Sequence, residues 1–173
     1  PTSGRAVFPE LSAYGGSTRG PLLGGIGNVE FSYYDSRDDR SGTNPNVPNS
    51  EFRFLIGYEH ELAKNLNVGI QYYLEHILQM MKKRQFFQYY LEHMMDYDEY
   101  RDSLPAGSNP EDEDRHLFTF DITQLLWNQN LELSMFTFYS PSDNDLYFRP
   151  QIDYQIDDRW SVTFGGNIFA GEH

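Results

Sequence analysis

The sequence predicts an all-β chain, an antiparallel up-and-down sheet rolled into a barrel, with seven to eight strands visible. Three observations predict it. Apolar and polar residues alternate with period two along much of the chain, and short and long connections follow one another between the alternating runs. Aromatic residues make up 16 % of the chain, thirteen Tyr, thirteen Phe and two Trp, more than an ordinary small core consumes. Alternation marks a strand with one apolar and one polar face, and the remaining two observations say what those faces meet.

The earliest run, Glu10 to Thr18, is the weakest, and is expected to turn through Arg19 to Gly24. Next, Val29, Phe31 and Tyr33 alternate with Asn28, Glu30, Ser32 and Tyr34. Phe52, Phe54, Ile56, Tyr58 and Leu62 alternate with Arg53, Gly57, Glu59 and Glu61, with His60 as the exception on the apolar side. The turn Ala63-Lys64-Asn65 leads to Leu66, Val68, Ile70, Tyr72 and Leu74, set against Asn67, Gly69, Gln71, Tyr73 and Glu75.

Further on, Phe118, Phe120 and Ile122 alternate with Thr119, Asp121 and Thr123. A turn at Trp127-Asn128-Gln129-Asn130 leads to Leu131, Leu133, Met135, Thr137 and Tyr139. The run 146–156 places Leu146, Phe148, Ile152 and Tyr154 on one side and Tyr147, Arg149, Gln151 and Asp153 on the other. After Asp157-Asp158-Arg159, Trp160, Val162, Phe164 and Ile168 face one way, and Ser161, Thr163, Gly165 and Asn167 the other.

The tight connections follow alternate strands, at 63–65, 127–130 and 157–159. The others are longer, at 35–50, 76–115 and, more modestly, 140–145. Short turns at one end and long loops at the other characterise transmembrane β-barrels. Most runs reach, or extend to, the roughly 9–11 residues that a tilted strand needs to cross a bilayer. The polar side carries charges of both signs, which suits a wet lumen. The apolar side is aromatic and aliphatic, with Tyr58, Tyr139 and Trp160 near strand ends, where barrels place their aromatic girdles. Mean hydropathy is −0.64, and no apolar run approaches the roughly 18 residues of a membrane helix. A barrel with a polar interior reads the same way.

The formal net charge of −13 and a pI near 4.6 exclude a basic footprint for nucleic acid and a polybasic membrane-docking surface. With no cysteine there are no disulfides and no thiolate metal sites. No signal peptide is visible at the start, which opens at Pro1. The five histidines are scattered, without paired metal-ligand spacing, so neither a metal nor a cofactor is expected. Acidic residues gather in the connections, at Asp35, Asp38 and Asp39, through 96–114, and at Asp143 and Asp145. A solvated loop explains them. The functional alternatives are collection of divalent cations that bridge lipopolysaccharide at a bilayer surface, or a bias of a pore toward cations. The segment DSRDDRSG matches a calcium loop only loosely.

The chain reads as one domain, 1–173, with a long outer loop or inserted segment at about 76–115. There the hexapeptide QYYLEH occurs twice, at Gln71–His76 and Gln88–His93. An offset of 17 flips side-chain facing in a strand, so a local duplication with one copy in the loop is expected. Between the copies, Lys82-Lys83-Arg84 forms the one basic cluster, read as a solvated loop face.

The runs LLGGIGNVEFSYYDSRDDR, PNSEFRFLIGYEHEL, QYYLEHMMDYDEYRDSLP, NQNLELSMFTFYSPSD and GGNIFAGEH resemble a family of poorly characterised, porin-like outer-membrane β-barrel proteins of Gram-negative bacteria. The resemblance extends from about Ala6 onward, and YYDSRDD and FYSPSD are its most distinctive parts. It implies an outer-membrane location with lipid bilayer and lipopolysaccharide as partners, and a barrel larger than the strands visible here. It brings no functional residues. The interrupted QYYLEH segment departs from the pattern. So does the end at Gly171-Glu172-His173, where such barrels finish on a strand closing in Phe or Trp; a partial barrel is the expectation.

Six charged residues form the candidate lumen-facing set: Glu30, Arg53, Glu59, Asp121, Arg149 and Asp153. In a wide pore they would set a transverse field, and in a small closed barrel they would pair across the interior. The expected role is a passive porin-like channel or structural membrane protein, not an enzyme. Two rivals stand beside it: a soluble β-barrel binding a small apolar ligand, and a barrel lipid hydrolase using Ser134 or Ser161, for which no nucleophile motif is present.

Overall fold

A computed structural model describes residues 8–42, 44, 47–79 and 113–171. It is all-β, with strands β1 (Leu11–Leu22), β2 (Gly25–Ser36), β3 (Glu51–Ala63), β4 (Leu66–Ile77), β5 (Asp114–Leu126), β6 (Leu131–Ser140), β7 (Asp145–Gln155), β8 (Ser161–Gly165) and β9 (Ile168–Ala170). The order in the sheet is the order in sequence, β1 to β8, with β9 also on β7, which is an antiparallel up-and-down sheet. The second QYYLEH copy, the Lys82-Lys83-Arg84 cluster and the acidic residues of 96–112 lie outside the described residues.

The expected barrel is not closed: β1 and β8 are the two ends of the strand order and do not pair. Closing eight strands leaves an interior just wide enough for meshed side chains. Here the polar side of β6, β7 and β9 carries Phe136, Phe138, Tyr147, Phe169 and Arg149. A narrow ring has poor room for that bulk.

The chain divides into two compact units, one of residues 1–15, 32–53 and 75–113, the other of 16–31, 54–74 and 114–173. In the first, main-chain bonds tie successive connections together. Arg37 donates to the Glu10 carbonyl at 3.0 Å, Leu78 to Ser50 at 2.8 Å and Ile77 to Glu113 at 2.8 Å. Side chains complete the set, as the Ser36 amide donates to Ser50 Oγ at 3.0 Å and Asn49 Nδ2 to the Leu78 carbonyl at 2.8 Å. In the second unit the adjacent turns are linked likewise, Leu125 donating to Asn65 at 2.9 Å and Gln155 to Asn130 at 2.8 Å.

β1 runs four residues further than expected. Pro21 and Gly20 look like turn residues in sequence, but Pro is tolerated on a sheet edge, and β1 is an edge. The turn is only Leu23-Gly24, with φ of 47° and 86°. Two successive positive φ angles give the primed turn geometry that matches strand twist.

β8 and β9 are one strand with a gap. Gln151 pairs Gly165 and Phe148 pairs Ile168, so the register is unchanged across the break. Pro150 causes the gap. Gly166 donates to its carbonyl at 3.1 Å, but Pro150 has no N–H to return the bond.

The β5–β6 turn holds three consecutive residues at positive φ: Trp127 at 50°, Asn128 at 57° and Gln129 at 72°. Left-handed backbone disfavours residues that carry a Cβ. Gln129→Gly is therefore expected to stabilise the folded chain by about 0.5 kcal/mol net of the glycine's greater freedom when unfolded. A urea midpoint that moves up at unchanged slope supports this; a fall would mean that the Gln129 side chain contributes to the turn.

Candidate functional site

The registers of β5 to β9 sort side chains into two faces. Phe118, Phe120, Ile122 and Leu126 lie opposite Tyr139, Thr137, Met135 and Leu131. These continue into Leu146, Phe148, Pro150, Ile152 and Tyr154 on β7, then Phe164 and Val162 on β8 and Ile168 and Ala170 on β9. No charged side chain interrupts that face, and Gln124, its one amide, donates to the Asn65 and Leu125 carbonyls at the turn end. The expected facing of these strands is what the ladders show.

Rings mark both ends of the apolar face. Trp127 meets Tyr154 edge-on at 5.9 Å, with Trp160 in the neighbouring turn. At the loop end Tyr72 contacts Phe118 at 5.1 Å and stacks with His116, whose Nδ1 shares a 2.8 Å hydrogen bond with its hydroxyl. Along β6, the step from Leu131, opposite Tyr154, to Tyr139 spans eight residues. At roughly 3.4 Å per residue that is about 27 Å.

On the other face, the six candidate charges fall into separate neighbourhoods. Glu30, Glu59 and Asp121 share a cavity of about 300 Å³, together with Arg19, Asn28 and Gln71. Arg19 reaches Glu59 at 3.2 Å, with both side chains more than half exposed, so the pair contributes little to stability. The floor is glycine. Gly57 and Gly69 are buried, and the Asn28 amide and the Asp121 carboxylate lie where their Cβ atoms would stand.

Arg53 belongs to the first unit, where it pairs with Glu51 and Glu75 and lies over the Tyr34 ring at 4.8 Å. Arg149 faces the Phe136 ring at 5.8 Å. Asp153 stands opposite Glu132 and accepts from Gln151 Nε2 at 2.7 Å and from the Thr163 hydroxyl. Those donors offset the repulsion that like charges feel across a ladder. Arg19 was not among the sequence candidates, because its run read as a turn.

The acidic connections are held by their own loops. Asp35 pairs Arg40 at 2.9 Å, Asp38 accepts from the Glu10 amide at 2.8 Å, and Asp39 accepts from Ser41 Oγ at 2.7 Å and from the Asn44 amide. Among the described residues no three His, Asp or Glu side chains are placed to hold a metal ion. Ser134 lies opposite Thr123 and Gln151, and Ser161 opposite Gln155.

In the β6–β7 turn, buried Ser140 donates to Asp143 at 2.7 Å and Arg115 Nε donates to the same carboxylate at 2.9 Å. The Ser140 hydrogen bond foremost, with the Arg115 bond and charge, holds the Asp143 carboxyl below its ordinary range against the opposing effect of partial burial.

No protein-family model matches this chain, no curated protein matches it, and no solved structure matches it.

Two outcomes follow from this geometry. Gly69→Ala is expected to displace the Asp121 carboxylate and cost about 1–3 kcal/mol. Adding Asp121→Ala should recover much of that loss, and strictly additive effects in the double-mutant cycle would refute the overlap. Asp143 has a folded-state pKa below its unfolded value, so the folded state binds fewer protons. Its stabilisation is present above about pH 4 and is lost as pH falls through the folded value. Asp143→Asn should flatten the acid limb of an unfolding-midpoint profile; an unchanged limb would assign it to other carboxylates.

Proposed function

We propose that this sheet is wall of a bacterial outer-membrane β-barrel, complete only with strands beyond those seen here, and that it serves as a passive porin-like channel or structural membrane protein. One observation carries the reading. Among the described residues the buried ones are Ser36, Asp39, Gly42, Asn49, Ser50, Gly57, Gly69 and Ser140, and none is a large apolar residue. Meanwhile Phe164 is 77 % exposed and Trp160 69 %. A water-soluble sheet buries its apolar face against a second layer, and Ile, Val, Leu and Phe are ordinarily the most buried residues. Hydrocarbon covers such a face without help from the chain.

Three features support that solvent. From Phe118 onward the paired apolar face of β5–β9 carries no charged side chain. Its ring-bounded length of about 27 Å along the strand, shortened by tilt, is close to the roughly 25 Å apolar band of such barrels. Turns of two to five residues close one end of the strands, while at the other end the connection is 14 residues between β2 and β3 and four between β6 and β7, and 36 residues of sequence, most of them outside the described residues, separate β4 from β5. The opposite face, with Arg149, Gln151 and Asp153, suits water, and solute would cross by diffusion past it without cofactor or chemistry. Lipid and lipopolysaccharide are the partners this reading supplies.

The test is gel mobility of the refolded chain with and without heating, in detergent micelles and in plain buffer. A compact heat-sensitive form only in detergent supports the membrane reading, and aggregation in both would mean that this chain does not close without further strands. Compact folding in buffer would replace it with a soluble barrel. Within detergent, Ile152→Arg should impair insertion by roughly 2–4 kcal/mol near the midplane, and Gln151→Arg should be tolerated. Equal damage from the two would mean that the faces do not see different solvents.

A further inference from the structure

The polar face breaks its own rule in one place. On β6, β7 and β9, Phe138 lies directly opposite Tyr147, and Tyr147 opposite Phe169, so three rings form one row across the strands. Tyr147 and Phe169 stand 4.9 Å apart with ring planes inclined by 31°. In the next row Phe136 lies between Asp121 and Arg149, with its ring 6.1 Å from Tyr147. Polar groups border these rings: Thr119 ends the first row, and Asn167 accepts from the Tyr147 hydroxyl at 2.6 Å. A cavity of about 590 Å³ opens over Phe138, Tyr147 and Phe169, with the Asp145 carboxylate at its rim. That volume lies within the range of about 300–1,000 Å³ that small-molecule sites occupy. Phe169 is 76 % exposed, so nothing among the described residues covers the platform.

We infer that this platform binds a carbohydrate. A sugar ring has an apolar C–H face, which aromatic faces take up, and an edge of hydroxyls that donate and accept together. The border here matches that edge, with a guanidinium donor in Arg149, a carboxylate acceptor in Asp145, and the Asn167 amide able to do either. A wholly apolar solute would offer Arg149 and Asp145 no bond in exchange for the water it displaces, which costs affinity. The inference rests on the membrane reading only in placing the platform on the watery side of the wall, where it would slow and select a passing solute.

The experiment is saturation-transfer NMR on the refolded chain in a sugar-free amine-oxide detergent, with maltose, cellobiose and xylobiose as probes and benzoate as the aromatic control. Transfer to the C–H protons of at least one disaccharide is expected. Phe169→Ala and Phe169→Leu should each weaken that binding tenfold or more, while Phe169→Tyr keeps it. No transfer to any sugar, unchanged binding in both variants, or uptake of benzoate alone would overturn the assignment. Sugar binding by a chain that folds in plain buffer would retire the membrane reading and leave this one standing.

Discussion

The parity of the antiparallel ladder is the constraint on which the rest of this sheet depends. Each main-chain N–H and C=O between paired strands is satisfied by its neighbour, and the same register decides which side chains stand on which face. Because Leu131 meets Tyr154 and Met135 meets Pro150, Glu132 and Ser134 are directed away from the apolar side without any further interaction. A one-residue slip between β6 and β7 would carry Arg149, Gln151 and Asp153 to the apolar face. Two devices resist it: the turn hydrogen bonds at Ser140 and Asp143 at one end, and the main-chain bond from Gln155 to the Asn130 carbonyl at the other.

That division also explains where burial occurs. Among the described residues the inaccessible side chains are hydroxyls, an amide and a carboxylate in and beside the connections. Gly57 and Gly69 are covered because neighbouring polar side chains lie down across them. Polar contacts hold the connections, while apolar contacts run laterally over one surface, ring beside aliphatic chain. An open antiparallel sheet with that distribution has its strongest solvent preference on a single face.

Alternation makes the faces legible without any register, and from Phe118 to Ala170 the ladders align the residues of the apolar face from strand to strand. Alternation says nothing about how far along a strand two residues meet. The six charged candidates therefore read as one set but divide among Arg19 and the glycine-floored cavity, the Glu51–Arg53–Glu75 group, the Phe136 ring and the Thr163–Gln151 pair. The sequence pattern ends β1 early because Gly20 and Pro21 are turn formers in general, whereas their edge position, a tertiary fact, makes them acceptable in a strand. The ring row was legible in principle. In MFTFY, Phe136 and Phe138 hold the parity opposite to Met135 and Tyr139, so apolar residues occur on both sides of one strand.

Pro150 has a consequence for the order in which this sheet comes apart. Between β6 and β7 ten consecutive pairs run without interruption. On the far side of β7 the same length of ladder is divided into five pairs and three, with a residue between them that has no amide hydrogen to give. Two short clasps release separately, and each opens at lower free energy than a ladder that must unzip as a unit. The outermost strand can therefore breathe in halves while β5, β6 and β7 stay joined, and amide exchange along it would show two protection levels meeting at Gly166 and Asn167.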